Sequence, residues 1–545
     1  MLGLMQDWPL LLHRIIDHAA IYHGERKVIT RSVEGPIVET NYAAIRARAL
    51  KVAKRLEKDG IKSGDRVATL AWNTWRHMEC WYGILGIGAI YHTVNPRLFP
   101  DQICWIVNHA EDRMMFVDLT FLPILEKHAE GLKTIERFIV LTDAAHMPKT
   151  TLKNAVAYED WINEVDGDFA WKSFDENSAA GMCYTSGTTG NPKGVLYSHR
   201  SNVLHAFMAA LPDSKGIAAR DVVLPVVPFF HANGWSLAFS TPMVGATLVL
   251  PGPKLDGASI YELLDKYKVT FTAAVPTVWL MLLQDLEKTG GKLPHLKRVV
   301  IGGSACPRAI TKAFQDKYGV EVIHAWGMTE MSPLGSLCTM KPEYGVLTGE
   351  ARLDVQMKQG HPPFGVEMKI TDDAGKPLPW DGKTFGRLKV RGPAVAKHYF
   401  KDDSDILDAE GFFDTGDVAT IDKYGYMQIT DRSKDVIKSG GEWISSIDLE
   451  NLAVGHPKVA EAAVIGISHP KWDERPLLVI VLKKGESASK EDILGFMQGK
   501  IAKWWMPDDV AFVDEIPHTA TGKIQKVTLR ERFKDYRLPS VQAAE

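Results

Sequence analysis

The stretch of the chain best suited to chemistry is YTSGTTGNPKGVLYSH, residues 184–199, in which hydroxyl side chains are interleaved with glycines and a lysine follows. Glycine allows close approach of the backbone, hydroxyls and main-chain N–H groups donate hydrogen bonds, and an ammonium group neutralises negative charge. Such a loop is suited to holding phosphate. The candidate phosphate-binding residues are Thr185, Ser186, Gly187, Thr188, Thr189, Gly190 and Lys193.

The loop differs from the P-loop of kinases and ATPases, which has the pattern GxxxxGK[ST] and lies between a strand and a helix. Here Lys193 is followed by Gly194, and VLYSH after the loop predicts a second strand. A helix, SNVLHAFMAAL, begins only later, with Ser198 or Ser201 as its N-cap. The sequence therefore predicts a strand–loop–strand hairpin that folds over phosphates.

Four further motifs follow this loop in order: HAWGMTE (324–330), GFFDTGDVA (411–419), DRSKDVIKSGGEWIS (431–445) and PHTATGKIQK (517–526). Together the five motifs resemble the signatures of the adenylate-forming superfamily of acyl-CoA synthetases, adenylation domains and luciferases, over nearly the whole chain. The resemblance implies an ATP-dependent acyl-CoA ligase. It would convert a carboxylate, ATP and coenzyme A to acyl-CoA, AMP and pyrophosphate through an acyl-adenylate, with Mg²⁺ as the metal.

The resemblance also assigns roles to single residues. Lys523 would place its ammonium between the acyl carboxylate and the α-phosphate, and Glu330 would hold Mg²⁺ together with Thr185, since a hard cation prefers oxygen ligands. Asp417 would accept hydrogen bonds from the ribose hydroxyls, and Arg432 would add a donor to the same sugar. The remaining nucleotide contacts fall on Gly303, Ser304, Ala305, Ala325, Trp326, Gly327, Met328, Thr329 and Lys438.

Many relatives carry a tyrosine where this chain has Trp326, so we expect stacking on adenine without a phenolic contact; packing in the core is the alternative. For coenzyme A, the resemblance assigns the tunnel to Ser439, Gly440, Gly441, Glu442 and Trp443. Lys434 falls at the position of the interdomain hinge. Lys438 is equally well explained as a plain surface lysine.

The acid is expected at PFFHANGWSLAF, which resembles the corresponding segment of bacterial medium-chain acyl-CoA synthetases and their relatives acting on 3-(methylthio)propionate. His231 would lie beside the reacting carboxylate as a catalytic group, and Trp235 would form a wall of the acyl cavity. The candidate substrate residues are His231, Asn233, Trp235, Gly302, Met331 and Pro333. A bulky tryptophan favours a short or medium-chain acid over a long one. An aryl acid is left open.

Apolar, β-rich runs such as RVATLAW, MMFVDL, FTAAVP and RVVIGG alternate with helical segments over the first 340 or so residues. This rhythm predicts an α/β fold, with a large N-terminal domain of layered α/β subdomains. VEMKITDDAGKPLP and GRLKVRGP predict a small β-subdomain, and KEDILGFMQGKIAKWW predicts a helix of a mobile α+β C-terminal domain. The expected boundary separates residues 1–432 from residues 433–545.

The composition limits the kinds of partner that this protein is expected to bind. The net charge is −3 and no long basic run occurs, so neither nucleic acid nor an anionic membrane is expected. Five scattered cysteines without a CxxC pair argue against a disulfide framework and favour the cytoplasm. The opening MLGLMQDWPLLLHRIIDHAA is typical of an amphipathic helix rather than a signal peptide. A homodimer is left open.

Other functions make different demands on the sequence. A P-loop kinase or ATPase needs the Walker pattern that is missing here. An adenylating enzyme that loads a carrier protein needs a separate carrier, because little chain follows Lys523. A luciferase-like oxidase is not distinguished by any residue. A non-catalytic scaffold would be expected to lose Lys523 or Glu330, and both are present.

Overall fold

The computed structural model describes residues 1, 3–185, 191–440, 442–518 and 524–539. The chain divides into two compact units, residues 1–367 with 391–406, and residues 368–390 with 407–545. Among the described residues, no helix has both the length and the apolar character needed to cross a membrane.

The first unit contains two large sheets. Its strands are β1 (Lys27–Arg31), β2 (Ile37–Asn41), β3 (Arg66–Leu70), β4 (Ile90–Thr93), β5 (Asp112–Val117), β6 (Arg137–Val140), β7 (Val156–Ala157), β8 (Ala179–Tyr184), β9 (Gly194–Ser198), β10 (Val222–Pro225), β11 (Thr247–Leu250), β12 (Phe271–Ala274), β13 (Arg298–Ile301), β14 (Glu321–Gly327) and β15 (Leu334–Leu337). One sheet has the order β7-β6-β5-β3-β4-β8-β9, and the other has the order β15-β14-β13-β12-β10-β11-β1-β2.

Helices cover these sheets. They are α1 (His13–Tyr22), α2 (Tyr42–Lys58), α3 (Trp75–Gly86), α4 (Pro100–Ala110), α5 (Leu122–Lys127), α6 (Tyr158–Asn163), α7 (His199–Ala210), α8 (Leu237–Met243), α9 (Gly257–Lys266), α10 (Pro276–Thr289), α11 (Arg308–Lys312), α12 (Pro342–Gly345) and α13 (Gly349–Gln356). Every residue of β4 and of β12 is buried, as expected for parallel strands covered on both faces. The predicted layered α/β fold is confirmed.

Most strand pairs in both sheets are parallel, so their carboxyl ends share one edge. β10, β12, β13 and β14 are parallel neighbours in the eight-stranded sheet. β4 and β8 are parallel neighbours in the other sheet. Ligands of open α/β sheets bind at the carboxyl ends of the strands. The candidate segments after β8, β10, β13 and β14 all begin at such ends.

The second unit consists of smaller elements. Its strands are β16 (Glu367–Thr371), β17 (Gly386–Arg391), β18 (Phe413–Ile421), β19 (Met427–Arg432), β20 (Ile437–Ser439), β21 (Glu442–Ile444), β22 (Val459–His469), β23 (Asp473–Leu482) and β24 (Asp509–Phe512), and its helices are α14 (Ser446–Val454), α15 (Lys490–Met497) and α16 (Lys526–Arg532). β16 to β19 form one sheet, and β20 to β24 form another.

The second unit differs from the sequence-based prediction in the length of one helix. The helix predicted over KEDILGFMQGKIAKWW is too long, because α15 ends at Met497 and Gly499 adopts φ +77°, where glycine is favoured over other residues. The predicted small β-subdomain belongs to the same compact unit as the C-terminal residues. The boundary at residues 432/433 concerns a movement of domains, and it stays a prediction.

Candidate functional site

The phosphate loop is closed at its base by two hydrogen bonds. Thr185 N donates to the carbonyl of Lys193 at 2.9 Å, and Lys193 N donates to Thr185 Oγ1 at 3.0 Å. β8 and β9 pair antiparallel on either side, and Ser198 caps α7 by accepting from Ser201 N. The strand–loop–strand prediction is therefore confirmed. The predicted phosphate ligands Ser186, Gly187, Thr188, Thr189 and Gly190 lie outside the described residues.

The side chain of Lys193 lies over an aromatic ring. Its Nζ is 4.5 Å from the centroid of the Tyr399 ring and 3.6 Å from the Asp402 carboxylate. About half of the Lys193 side chain is exposed, so the Asp402 pairing is weak and the ammonium is accessible to an anion. The cation–π contact with Tyr399 helps to orient it.

Tyr399 also contacts the predicted metal ligand. Its hydroxyl donates to Oε1 of the buried Glu330 at 2.7 Å. Burial, together with the Glu330 carboxylate, raises the pKa of Tyr399, so the phenol remains a donor. The main chain at this point is fixed as well, because Ala396 N donates to the Glu330 carbonyl and Tyr197 Oη donates to the Thr329 carbonyl, both at 2.7 Å.

Glu330 has the chemistry that a magnesium ligand needs. Oε2 of Glu330 forms no hydrogen bond or ion pair with a described residue, while Oε1 is held by Tyr399. Mg²⁺ is commonly bound through one or two carboxylates plus substrate phosphates. No cluster of three or more His, Cys, Asp or Glu that could hold a metal occurs in the described part of the chain. The Glu330 carboxylate therefore fits a site that would hold Mg²⁺ together with substrate phosphates.

The segments predicted to bind adenine meet at the carboxyl ends of β13 and β14. Gly303 adopts φ +83°, and Ser304 and Ala305 are exposed. Trp326 is buried and packs so closely against Gly335 that a Cβ there would lie 2.3 Å from the indole. One face of Trp326 is thus used in core packing. Stacking of its other surface on adenine stays a prediction.

The segment assigned to the acid has an unusual backbone. Ala232, Asn233, Gly234, Trp235 and Ser236 all have positive φ, from 36° to 67°. Left-handed conformations cost non-glycine residues roughly 1–2 kcal/mol each. A run of five left-handed residues, four of which are not glycine, persists only if tertiary contacts enforce it. His231, half-buried, directly precedes this run.

Contacts from several elements hold this left-handed segment. Asn233 Oδ1 accepts from Thr93 Oγ1, and Asn233 Nδ2 donates to Tyr91 Oη, both at 3.2 Å. The Trp235 indole lies against the start of the β13 loop, since a Cβ on Gly302 would be 3.2 Å from it. The structure therefore brings together Trp235 and Gly302, two predicted substrate residues.

Met331 and Pro333, also predicted to contact the acid, follow β14 in the same unit. Met331 is buried, and the main-chain carbonyl of Pro333 accepts from Met328 N at 2.9 Å. Gly327 lies directly against that carbonyl, since a Cβ on it would come 2.0 Å from the oxygen. The turn from Trp326 to Pro333 is therefore tightly folded, and only glycine fits at position 327.

The predicted ribose ligands lie in the second unit and are paired with each other. Asp417 on β18 and Arg432 on β19 are directly opposite in the antiparallel register. Arg432 Nε lies 2.9 Å from Asp417 Oδ1, and the Asp417 side chain is only 3% exposed. The arginine thus orients a buried carboxylate, an arrangement suited to accepting two neighbouring hydroxyls.

The predicted hinge and coenzyme A segment follow at once. Lys434 lies in a turn between β19 and β20, where Asp435 N and Val436 N donate to the Arg432 carbonyl. Lys438 is half-exposed and 3.7 Å from Asp373, which agrees with a surface lysine. Gly440 has φ +61°. Gly441, the Glu442 side chain and Lys523 lie outside the described residues.

Ser439 and Trp443, two further residues of the coenzyme A segment, belong to the hairpin of β20 and β21. Ser439 Oγ accepts from the Arg475 guanidinium at 3.2 Å. Trp443 pairs with Lys438 in the register of the hairpin. Sequence reasoning missed Arg475, as it missed Tyr197 and Tyr399, because each acts on a residue remote in sequence.

Taken together, the α/β fold, the hairpin at the predicted phosphate loop and the buried carboxylate of Glu330 are features expected of a nucleotide-dependent enzyme. Residues 16–400 match the AMP-binding enzyme family, and residues 448–523 match the C-terminal domain of AMP-binding enzymes. The chain belongs to the AMP-binding enzyme family.

Individual relatives are similar along their whole length. The chain is 51% identical over 535 residues to the 3-methylmercaptopropionyl-CoA ligase of Ruegeria pomeroyi, covering 98% of this chain and 99% of the relative. It is 46% identical over 540 residues to the medium-chain-fatty-acid–CoA ligase of Ectopseudomonas oleovorans, covering 99% of each. The solved anthranilate CoA ligase AuaEII in complex with anthranoyl-AMP has a TM-score of 0.83 at 26% identity, covering 97% of this chain and 99% of that one.

These comparisons confirm the enzyme class expected from the motifs. The chain is an ATP-dependent, AMP-forming acyl-CoA ligase that works through an acyl-adenylate. Its small-molecule partners are ATP, coenzyme A and a carboxylic acid, and its metal is Mg²⁺.

Proposed function

We propose that this ligase activates a short or medium-chain carboxylic acid such as 3-(methylthio)propionate. The observation that carries the proposal is the Trp235 indole, which lies against Gly302 where the acid is expected to bind. A buried tryptophan at this point leaves little depth for an acyl chain. The names of the two relatives that are 51% and 46% identical support the same size range.

In the first half-reaction, a carboxylate oxygen attacks the α-phosphorus of ATP, and the bond from that phosphorus to pyrophosphate breaks. The attack brings an anion towards a polyanion, so cations must neutralise the developing charge. We assign this work to Lys523 at the α-phosphate and to Lys193 with the loop hydroxyls at the β- and γ-phosphates. Glu330, with Thr185, would hold Mg²⁺, which would supply Lewis-acid stabilisation when bound.

In the second half-reaction, the sulfur of coenzyme A attacks the activated carbonyl carbon, the bond to AMP breaks, and the thiol proton is released. One lysine cannot lie at the α-phosphate while a thiol approaches from the same side. Rotation about Lys434, which lies in a turn between two sheets of the second unit, would exchange Lys523 for the segment 439–443. His231 is assigned beside the reacting carboxylate.

The same adenylation chemistry fits two alternatives: a carrier protein as the acceptor of the acyl group, or an aryl acid as the substrate. Transfer to a carrier protein would replace coenzyme A without changing the adenylation residues. An aryl acid would need a flat cavity in place of a narrow one. Trp235 argues against a flat cavity, because its indole occupies the space beside Gly302.

We also propose that the enzyme acts in the cytoplasm, without nucleic acid or membrane as a partner, and a homodimer stays open. All five cysteines are free thiols, and four of them are buried. Free thiols persist in a reducing compartment.

Substitution of Trp235 by leucine tests the proposed acyl wall. A smaller side chain deepens the cavity, so kcat/KM for octanoate relative to that for butyrate should rise about 10–100-fold, since each methylene is worth about 1–3 kcal/mol. The measurement is acid-dependent AMP release. Trp279→Leu is the matched control, because Trp279 is also buried but lies in a different core cluster. If the ratio is unchanged in Trp235→Leu, Trp235 does not form a wall of the acyl cavity.

A further inference from the structure

A lysine that the catalytic account does not use is buried next to the proposed acyl wall. Lys215 lies in the loop between α7 and β10 and is only 1% exposed. Its Nζ donates to the main-chain carbonyl of Trp235. Burial lowers the pKa of Lys215 to about 7. Among the described residues, no carboxylate pairs with this amino group, and its hydrogen bond goes to the Trp235 carbonyl.

A buried lysine without a counter-ion is costly to a protein. Lysine is almost never fully buried unless it is paired. The buried amino group donates its hydrogen bond to the carbonyl of Trp235, which lies within the left-handed segment 232–236. Within this segment the Gly234 carbonyl accepts from the nearby Leu237 N, whereas the Trp235 carbonyl needs a partner from elsewhere. Lys215 supplies that partner from a different part of the chain.

Further contacts fix the same segment on its other sides. A Cβ on Gly234 would come 2.5 Å from the Phe229 ring, so the turn cannot move in that direction. The Asn233 amide is held by Tyr91 and Thr93. Two residues later, the Trp235 indole rests against Gly302. Lys215 therefore supports the part of the segment that carries the indole.

The helix before Lys215 also contacts a second segment that is assigned to the acid. His205 on α7 accepts a hydrogen bond from Leu334 N at its Nε2, at 3.0 Å. Leu334 directly follows Pro333, one of the predicted substrate residues. Trp235 and Leu334 belong to the same buried apolar cluster. α7 and its exit loop thus connect two segments that are assigned to the acid.

We propose that Lys215 is a specificity-determining positioning residue, which sets the depth of the acyl cavity by fixing the main chain of Trp235. The inference rests on the proposed role of Trp235 in the acyl site. Lys215 does not touch the reacting atoms, so it acts on the choice of acid rather than on the chemical step. Loss of its hydrogen bond frees the indole to move away from Gly302 and admits longer acids.

The test is Lys215→Met, which keeps the length of the side chain but removes the donor. We expect kcat/KM for butyrate relative to that for octanoate to fall about tenfold, the discrimination that about one methylene provides. The change should lie in KM for the acid, while KM for ATP stays within twofold. The melting temperature at neutral pH should not fall, because burial of an ammonium is no longer required.

Ser214→Ala is the matched control, since the neighbouring Ser214 hydroxyl is buried and has no hydrogen-bond partner in the described part of the chain. Its acid ratio should equal that of the wild type. If Lys215→Met fails to fold, the same ratio on Lys215→Gln, whose amide ends short of the Trp235 carbonyl, decides the question. An unchanged ratio in the folded variant overturns the inference.

The outcomes separate this inference from the proposed function. A shift in Trp235→Leu without one in Lys215→Met would overturn the role of Lys215 but keep Trp235 in the acyl cavity. No shift in either variant would reject both assignments. Failure of the wild type to favour short or medium-chain acids would reject the proposed substrate class independently of either variant.

Discussion

Replacing Lys523 by alanine should slow acyl-adenylate formation by about 10²–10³-fold or more, while thioester formation from a supplied acyl-adenylate should stay within about threefold of wild type. The physical reason is that Lys523 is assigned to the charge that builds up around the α-phosphorus while its bond to pyrophosphate breaks, which happens only in the first half-reaction. In the second, the bond that breaks joins the acyl carbon to the AMP phosphate, and by the proposed rotation Lys523 has left the site before charge develops on AMP. The measurement is the rate of pyrophosphate release, compared with the rate of thioester formation from synthetic acyl-adenylate and coenzyme A.

Two variants control this experiment. Lys523→Arg keeps the positive charge but changes its geometry, so it should recover part of the first rate. Lys534→Ala removes an exposed lysine of the second unit, 2.7 Å from Glu531, and should change neither rate. If Lys523→Ala slows both half-reactions equally, the assignment of Lys523 to adenylation alone is wrong.

Replacing Glu330 by glutamine should lower AMP formation by about 10²-fold or more at fixed Mg²⁺ and raise the Mg²⁺ concentration needed for half-maximal rate. The amide oxygen can still accept from Tyr399, so the fold at this point is kept. The charge that attracts the cation is lost, and Lewis-acid stabilisation of several kcal/mol depends on that cation. A magnesium titration of AMP release measures the effect.

Tyr399→Phe provides a graded comparison, because it leaves the Glu330 charge and removes only the hydrogen bond to Oε1. A hydrogen bond to a charged group is worth about 1.5–3 kcal/mol. The rate of AMP formation should therefore fall about 10–100-fold, which is less than the fall expected for Glu330→Gln. Glu350→Gln is the control, since Glu350 is an exposed carboxylate paired with Arg308 and Lys312. Equal magnesium dependence in Glu330→Gln and wild type would exclude Glu330 as the ligand.

Local patterns in the sequence predicted much of this structure. The hairpin around the phosphate loop and the parallel α/β layers are confirmed, and of the two predicted caps, Ser198 and Ser201, the structure has Ser198. The motifs predict that Asp417 and Arg432 contact the same ribose, and the structure adds that they face each other on two neighbouring strands. Motifs carry such information because their residues are close in sequence.

Other features depend on contacts that sequence patterns do not contain. Tyr399 reaches Glu330 across 69 positions of the chain, and nothing in its own surroundings indicates a metal ligand. Lys215 is followed by a glycine in a polar stretch, which favours a surface loop rather than a buried ammonium. The left-handed run 232–236 contains four non-glycine residues, so local propensity argues against it and tertiary packing decides.

We expect this ligase to prefer a short or medium-chain acid, because Trp235 limits the depth of its acyl cavity. The most direct test is kcat/KM for the wild type with 3-(methylthio)propionate, propionate, butyrate, hexanoate, a long-chain fatty acid and an aryl acid, each scored by AMP release in the presence of coenzyme A. We predict the highest value for 3-(methylthio)propionate or an acid of similar length, with AMP and pyrophosphate as products. A highest value for the long-chain or the aryl acid would contradict the claim.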